Sequence, residues 1–171
     1  MLIETTLATH DEQSVLQRLM EFYQYDFSEF DGNDVDANGI FGYEYLDDYW
    51  SKPQRYPLLV RVDHHLAGFV LVNDYVYYPT SNRSIAEFFV MRKYRRRGVG
   101  RTVACTVFDQ LPGRWEVRQL EENRVAQLFW RAVIDKYTHG EYTEQQLAAY
   151  GWDGPAQIFD NTSTERRGLR T

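Results

Sequence analysis

Glu87-Phe88-Phe89-Val90-Met91-Arg92-Lys93-Tyr94-Arg95-Arg96-Arg97-Gly98-Val99-Gly100-Arg101 is the stretch that decides the reading of this 171-residue chain. Its first part continues a β-rich run from Ser84 to Met91. Its last part opens a helix, because Val99, Val103, Val107 and Leu111 recur every four residues and stop before Pro112-Gly113. Between them lies a basic turn containing glycine. The spacing is neither Gly-x-Gly-x-x-Gly nor the Walker pattern, so neither a dinucleotide fingerprint nor a P-loop applies. The physics is shared all the same. The first turn of a helix has unpaired N–H groups and the positive end of the helix dipole, both suited to a phosphate. Gly98 and Gly100 let those amides come close to phosphate oxygens. Arg95, Arg96 and Arg97 add charge-assisted hydrogen bonds at the same place. A charge run alone also reads as a solvated loop; the strand before and the helix after are what favour a phosphate site.

Outward from this stretch, Leu2 to Leu7 alternate as a short strand, and Asp11 is placed to cap a helix carrying Val15, Leu16, Leu19, Tyr23 and Phe30. Residues 31 to 42 form a Gly- and Asn-rich loop. Tyr43 to Trp50 reads as a short helix that Pro53 prevents from continuing. Tyr56 to Val62 and Leu66 to Val72 form a hairpin about Asp63-His64-His65. Arg114 to Leu120 is a strand, and Val125, Leu128, Phe129, Ala132 and Val133 set the face of a further helix. Residues 139 to 147 and 155 to 160 close as strands, and the polar tail 161–171 is expected to be mobile. The order β-α-α-β-β-β-α-β-α-β-β is mixed α/β within a single domain, 1–171.

Composition bounds the function. The chain is 43% hydrophobic and 26% charged, with 11 Gly and 5 Pro, which excludes disordered and collagen-like classes. Cys105 is the one cysteine, so no internal disulfide forms, and its place in the helix face reads as a packed thiol. No apolar run approaches the roughly 20 residues of a membrane span, and Met1-Leu2-Ile3-Glu4 lacks the features of a signal peptide. A cytoplasmic protein with no membrane partner is the expectation. The histidines (His10, His64, His65, His139) have no second ligand pair at metal spacing, so no metal is assigned. Net charge is −6. Six basic residues and no acid lie between Arg92 and Arg101; the rest of the chain has 13 basic against 25 acidic residues, a balance of −12. Nucleic-acid binding needs many spread contacts and fits this distribution poorly. A compact anion held at one place fits it well.

Arg95-x-x-Gly98-x-Gly100 resembles the [Gln/Arg]-x-x-Gly-x-[Gly/Ala] signature of the GNAT superfamily of N-acetyltransferases. Asn123-x-x-Ala126-x-x-Phe129-Trp130 resembles the Asn-x-x-Ala-x-x-(aromatic) segment that opens the next helix of that family. Together the two motifs and their setting cover roughly residues 84 to 136. The resemblance implies an α+β fold with a central, mixed, mostly antiparallel sheet flanked by about four helices. It implies acetyl-CoA as donor, with the pyrophosphate on backbone amides of Arg95, Arg96, Arg97, Gly98, Val99 and Gly100, and Arg101 beside them. It gives the pantetheine arm to the strand backbone at Val90, Met91 and Arg92, and a contact with the cofactor arm to Asn123. Dimerisation through C-terminal strands is a habit of the family.

Catalysis in that family is direct attack of a neutral amine on the thioester, so a group must take the amine's proton. Glu87 is the candidate base: alternation puts it on one face with Ile85, Phe89 and Met91. A structural hydrogen bond to Arg or Tyr is the equal alternative. Many family members place in the second helix a Tyr that protonates the leaving thiolate. Here that position is Trp130, whose indole cannot act as an acid at neutral pH, leaving solvent or another Tyr such as Tyr137. The segment Tyr43 to Trp50 mixes aromatics with acids, which suits an organic cation. Tyr45, Asp47 and Asp48, with Tyr77 opposite, are therefore candidate acceptor residues, and aromatic packing under a solvated acidic face is the other reading. The expected activity is N-acetyl transfer to a primary amine of a small molecule. The alternatives are a protein N-terminal or lysine acetyltransferase, or a weakly catalytic acyl-CoA-binding module.

Overall fold

The computed structural model describes residues 1–149 and 152–162. Among these described residues, seven strands lie in the order β1-β2-β3-β4-β5-β7-β6, accompanied by four helices. The strands are β1 (Ile3–Leu7), β2 (Tyr56–Val62), β3 (His65–Asn73), β4 (Arg83–Val90), β5 (Arg114–Arg118), β6 (Thr143–Ala149) and β7 (Trp152–Asp160). The helices are α1 (Gln13–Asp31), α2 (Asp48–Ser51), α3 (Val99–Gln110) and α4 (Arg124–Thr138). The order of elements is the one the sequence implies, and the sheet is mixed and mostly antiparallel: β4 and β5 run parallel, whereas β1–β2, β2–β3, β5–β7 and β7–β6 are antiparallel.

The chain gathers into two compact units, one of Met1–Val72 with Glu87–Gly100, the other of Asn73–Ala86 with the chain from Arg101 onward. In the first unit the β2–β3 hairpin turns through Asp63 and His64, at φ of 48° and 66°. Two left-handed residues in sequence match the twist of a tight hairpin, and the Asp63 carboxylate accepts the Leu2 amide at 2.8 Å, tying β1 to the same turn. Leu16, Leu19 and Met20 of α1 are buried, as are Leu59, Val60, Phe69 and Leu71. Tyr23 stands edge-on to Phe69 and Phe89, with ring centroids 5.9 and 6.2 Å away. Gly68 on β3 must lack a side chain, because a Cβ there would lie 2.0 Å from the Phe89 carbonyl oxygen. That glycine sets how closely β3 approaches the end of β4.

In the second unit Phe108 is the hub. Its ring centroid lies 4.9 Å from Trp115, 5.0 Å from Phe159, 5.1 Å from Tyr137 and 6.3 Å from Trp130. Asn161 locks the end of β7. Its amide nitrogen donates to the Phe108 carbonyl at 2.7 Å, and its side-chain oxygen accepts the Gly113 amide at 2.8 Å.

Several local expectations are corrected. Asp11 does not cap α1. A 3-10 turn, His10–Glu12, precedes the helix, and Glu12 reaches back to the Thr9 amide at 3.0 Å as in a capping box. The helix read over 43–50 shrinks to the single turn α2, because Glu21 of α1 holds the Phe41 and Gly42 amides at 2.8 and 3.0 Å and fixes the approaching chain as turns. The strand expected from 139 starts at Thr143, since His139 and Gly140, both at positive φ, end α4 first. In α4 the helix is where periodicity puts it, but its face is only partly so: Val133 is buried and Phe129 half-buried as expected, while Val125 and Leu128 are 79% and 69% exposed and Gln127, Trp130, Ile134 and Thr138 are buried beside Val133. Of the tail expected to be mobile, Asn161 is buried and bonded, and residues 163–171 lie outside the described residues.

Candidate active site

The turn between β4 and α3 takes its shape from the backbone. A 3-10 turn, Arg92–Tyr94, closes on Tyr94, which is buried. Arg96 and Gly98 then adopt left-handed φ of 59° and 81°. Nothing lies within 4 Å of the place a Gly98 Cβ would occupy, so it is the backbone conformation, not crowding, that calls for glycine there. The two left-handed residues stand just before a 12-residue helix, whose first turn has N–H groups without intrahelical partners. Val99 is fully buried and anchors the start of α3, while Gly100 lies in its first turn.

The basic run divides into two roles. Arg96, Arg97 and Arg101 are exposed and, among the described residues, form no ion pair. Arg92 and Arg95 instead converge on Asp26 of α1: Arg92 Nη2 donates to one carboxylate oxygen at 2.6 Å and Arg95 Nη2 to the other at 2.5 Å. Burial of Asp26 works against its ionisation, but the bonds from Arg95 and Arg92 outweigh it and hold the carboxyl below its ordinary range. Arg95 Nε also donates to the Val90 carbonyl at 2.6 Å, and its guanidinium lies over the Phe89 ring at 5.7 Å. The Met91 amide donates to the Ala67 carbonyl at 2.8 Å. Of the strand-end backbone groups assigned to a pantetheine arm, the Val90 carbonyl and the Met91 amide are thus already bonded within the chain. A cleft of about 270 Å³ lies against this strand end, lined by Phe22, Tyr25, Asp26, Phe89, Met91, Arg92 and Lys93.

Glu87 is half-buried on β4 and accepts a hydrogen bond from the Tyr43 phenol at 2.9 Å. The Tyr23 phenol bonds the same carboxylate. Burial first, and then the neighbouring Glu87 charge, push both phenols well up, so both stay protonated and serve as donors. Ile85 and Phe89 share its face and are buried, as alternation implies. The sequence reading allowed a Tyr bond to Glu87 as its alternative but named neither phenol: they reach Glu87 from α1 and from the loop before α2, and no spacing announces that meeting.

The remaining candidates carry other bonds. Asn123 caps α4, its side-chain oxygen accepting the Ala126 amide at 3.0 Å, which is the local reason for Asn-x-x-Ala. Trp130 is buried against Phe108. Tyr137 donates to Asp109 at 2.9 Å and accepts from Asn161 at 3.1 Å, packed beside Phe108. Asp47 accepts from Gln13 at 2.6 Å and Asp48 pairs with Lys52 at 2.8 Å. Tyr45 is exposed. Tyr77 belongs to the second unit; its amide bonds the buried Glu116 at 3.1 Å and its ring faces the Arg118 guanidinium at 4.3 Å. Cys105 is half-buried in α3. Among the described residues no group of three or more His, Cys, Asp or Glu could hold a metal ion, and no helix is long and apolar enough to cross a membrane.

Residues 14–134 match the family model of the acetyltransferase (GNAT) family, and the chain belongs to that family. It is an acyltransferase by class, and the family uses acetyl-CoA as its donor. No curated protein sequence matches it. Solved structures share the fold at low identity. An acetyltransferase from Thermus thermophilus is 15% identical with a TM-score of 0.65, over 94% of this chain and 98% of that one. A structure described as histone acetyltransferase HPA2 and related acetyltransferase, from Corynebacterium glutamicum, is 11% identical with a TM-score of 0.66, over 96% and 99%. The PaiA N-acetyltransferase of Thermoplasma acidophilum, in complex with coenzyme A, is 12% identical with a TM-score of 0.56, over 92% and 98%.

Proposed function

We propose that this protein transfers the acetyl group of acetyl-CoA to a primary amine of a small molecule, by direct attack of the amine on the thioester. The observation that carries the donor half is the turn Arg95–Gly100, with its left-handed Arg96 and Gly98 and three exposed arginines at the mouth of α3. Those residues suit a diphosphate: backbone amides supply short directional bonds and the arginines supply charge.

Glu87 is the proposed base. An amine arrives protonated at neutral pH and must lose one proton before it attacks; the nitrogen then forms the amide bond, the carbon–sulfur bond breaks, and the second nitrogen proton passes to solvent. A carboxylate reached directly or through one water can take it. The Tyr43 and Tyr23 phenols hold Glu87 in one orientation. The thiolate departs with a proton from solvent, because Trp130 is not an acid and Tyr137 is engaged with Asp109 and Asn161.

The test is release of free thiol from acetyl-CoA, with and without a panel of small amines, set beside peptides with free N-termini and lysines. Amine-dependent release with small molecules supports the reading. A protein amine is the second reading, supported by the likeness to a structure described as a histone acetyltransferase; release with peptides alone selects it. Binding of acetyl-CoA without turnover of any amine selects the acyl-CoA-binding module.

A further inference from the structure

We propose that Asp26 is a positioning residue for the donor turn, a clamp through which α1 sets where Arg95 to Gly100 lie. The proposal rests on the reading of that turn as the acetyl-CoA site. Asp26 engages two members of the basic run at once, with Arg92 on one carboxylate oxygen and Arg95 on the other. Arg95 is held at three further points: by the Val90 carbonyl through Nε, by the Phe89 ring under its guanidinium, and by the Arg92 carbonyl through its own amide at 3.2 Å. A side chain with so many partners is a strut. Arg95 ties α1, the last residues of β4 and the start of the turn into one body, and the left-handed step at Arg96 begins from its Cα. The arginines left for an anion are then Arg96, Arg97 and Arg101.

Electrostatics alone makes the opposite forecast, and that allows a decisive test. A carboxylate beside an anion site repels the anion, so removing its charge strengthens anion binding if charge is all that matters. If the clamp matters, removing it frees Arg95, lets the turn shift, and weakens binding despite the more favourable charge. The remaining contacts of Arg95 limit the loss of binding to about tenfold, about 1.4 kcal/mol.

The experiment is calorimetric titration of acetyl-CoA into wild type, Asp26→Asn and Asp26→Glu, with the melting temperature of each recorded. The expected result is about tenfold weaker binding for Asp26→Asn, whose fold is intact because the lost ion pairs are partly exposed. Asp26→Glu keeps the charge and lengthens the arm by one methylene; binding about threefold weaker is expected, since the effect follows geometry. If Asp26→Asn fails to fold, Asp26→Glu decides: wild-type affinity there overturns the clamp. Binding by Asp26→Asn equal to or tighter than wild type also overturns it, provided the wild type binds. A wild type that does not bind acetyl-CoA overturns the donor-site reading, and the clamp falls with it.

Discussion

The proposed donor turn and the proposed acceptor residues are both visible in the sequence, and the structure treats them differently. Arg95 to Gly100 is contiguous, and its shape is set by the backbone: two left-handed residues, a helix start and an open space at Gly98. Tyr45, Asp47, Asp48 and Tyr77 share only their composition. Asp47 and Asp48 hold Gln13 and Lys52, Tyr77 packs under Arg118 in the other unit, and Tyr45 stands at the surface. Successive residues keep their spacing whatever the chain does, so a contiguous turn is readable from sequence as local geometry. A cluster drawn from distant segments has no such guarantee, because any of its side chains can find a nearer partner first.

Substitutions break or sharpen this contrast in graded fashion. Glu87→Gln has the largest expected effect on turnover: a fall in kcat/KM of about 10²- to 10³-fold. Acetyl-CoA affinity should stay within about twofold of wild type. A parallel loss of affinity would assign Glu87 to architecture, with Tyr43 and Tyr23 as its structural partners. Arg96→Ala combined with Arg97→Ala comes next. Acetyl-CoA binding should weaken by about tenfold and become less sensitive to salt, because exposed charge-assisted bonds are screened; unchanged salt dependence would leave recognition to the amides alone.

Smaller effects come from the ion pairs. Asp26, Glu12 and Glu144 are held below the ordinary carboxylate range. For Asp26 the Arg95 and Arg92 bonds outweigh burial; for Glu12 the Thr9 amide and then Arg61 act; for Glu144 it is Arg131. Depressed carboxyls contribute stability that is fully present above their unfolded value near pH 4 and lost as pH falls through the lower folded values. Urea unfolding should therefore show a plateau above about pH 5 and a decline below about pH 4, shallower in Asp26→Asn. The smallest effect belongs to Asp47→Asn and Asp48→Asn, which should leave the KM for the amine within about twofold, since both side chains are engaged elsewhere. A larger rise would restore them as acceptor residues.

Much of the fold is legible in the sequence. The order of strands and helices follows from periodicity, from Pro53 and Pro112, and from the hairpin signal at Asp63-His64. The face of α4 is only partly legible, for a physical reason. Val125, Leu128 and Ala132 look like the inward stripe, but Gln127 takes the buried place because its side-chain nitrogen caps the Leu120 and Glu121 carbonyls at 2.9 and 3.0 Å. Thr138 is buried likewise, bonded to the Ile134 carbonyl at 2.8 Å. Polar residues satisfied by backbone groups are invisible to a hydrophobic pattern. The same holds for Asp26, Tyr23 and Tyr43, each an ordinary residue in its own segment. Their significance lies in distant partners: Tyr43 meets Glu87 across 44 positions and Asp26 meets Arg95 across 69.

The β4–α3 turn as donor site stands or falls on calorimetric titration of acetyl-CoA into wild type and Gly98→Glu. Gly98→Glu places a carboxylate at the turn in open space but strains its left-handed backbone, so the melting temperature recorded beside each titration separates loss of the site from loss of the fold. Micromolar binding by the wild type, absent from the variant, is the predicted result. Equal binding by both, or none by the wild type, would contradict it.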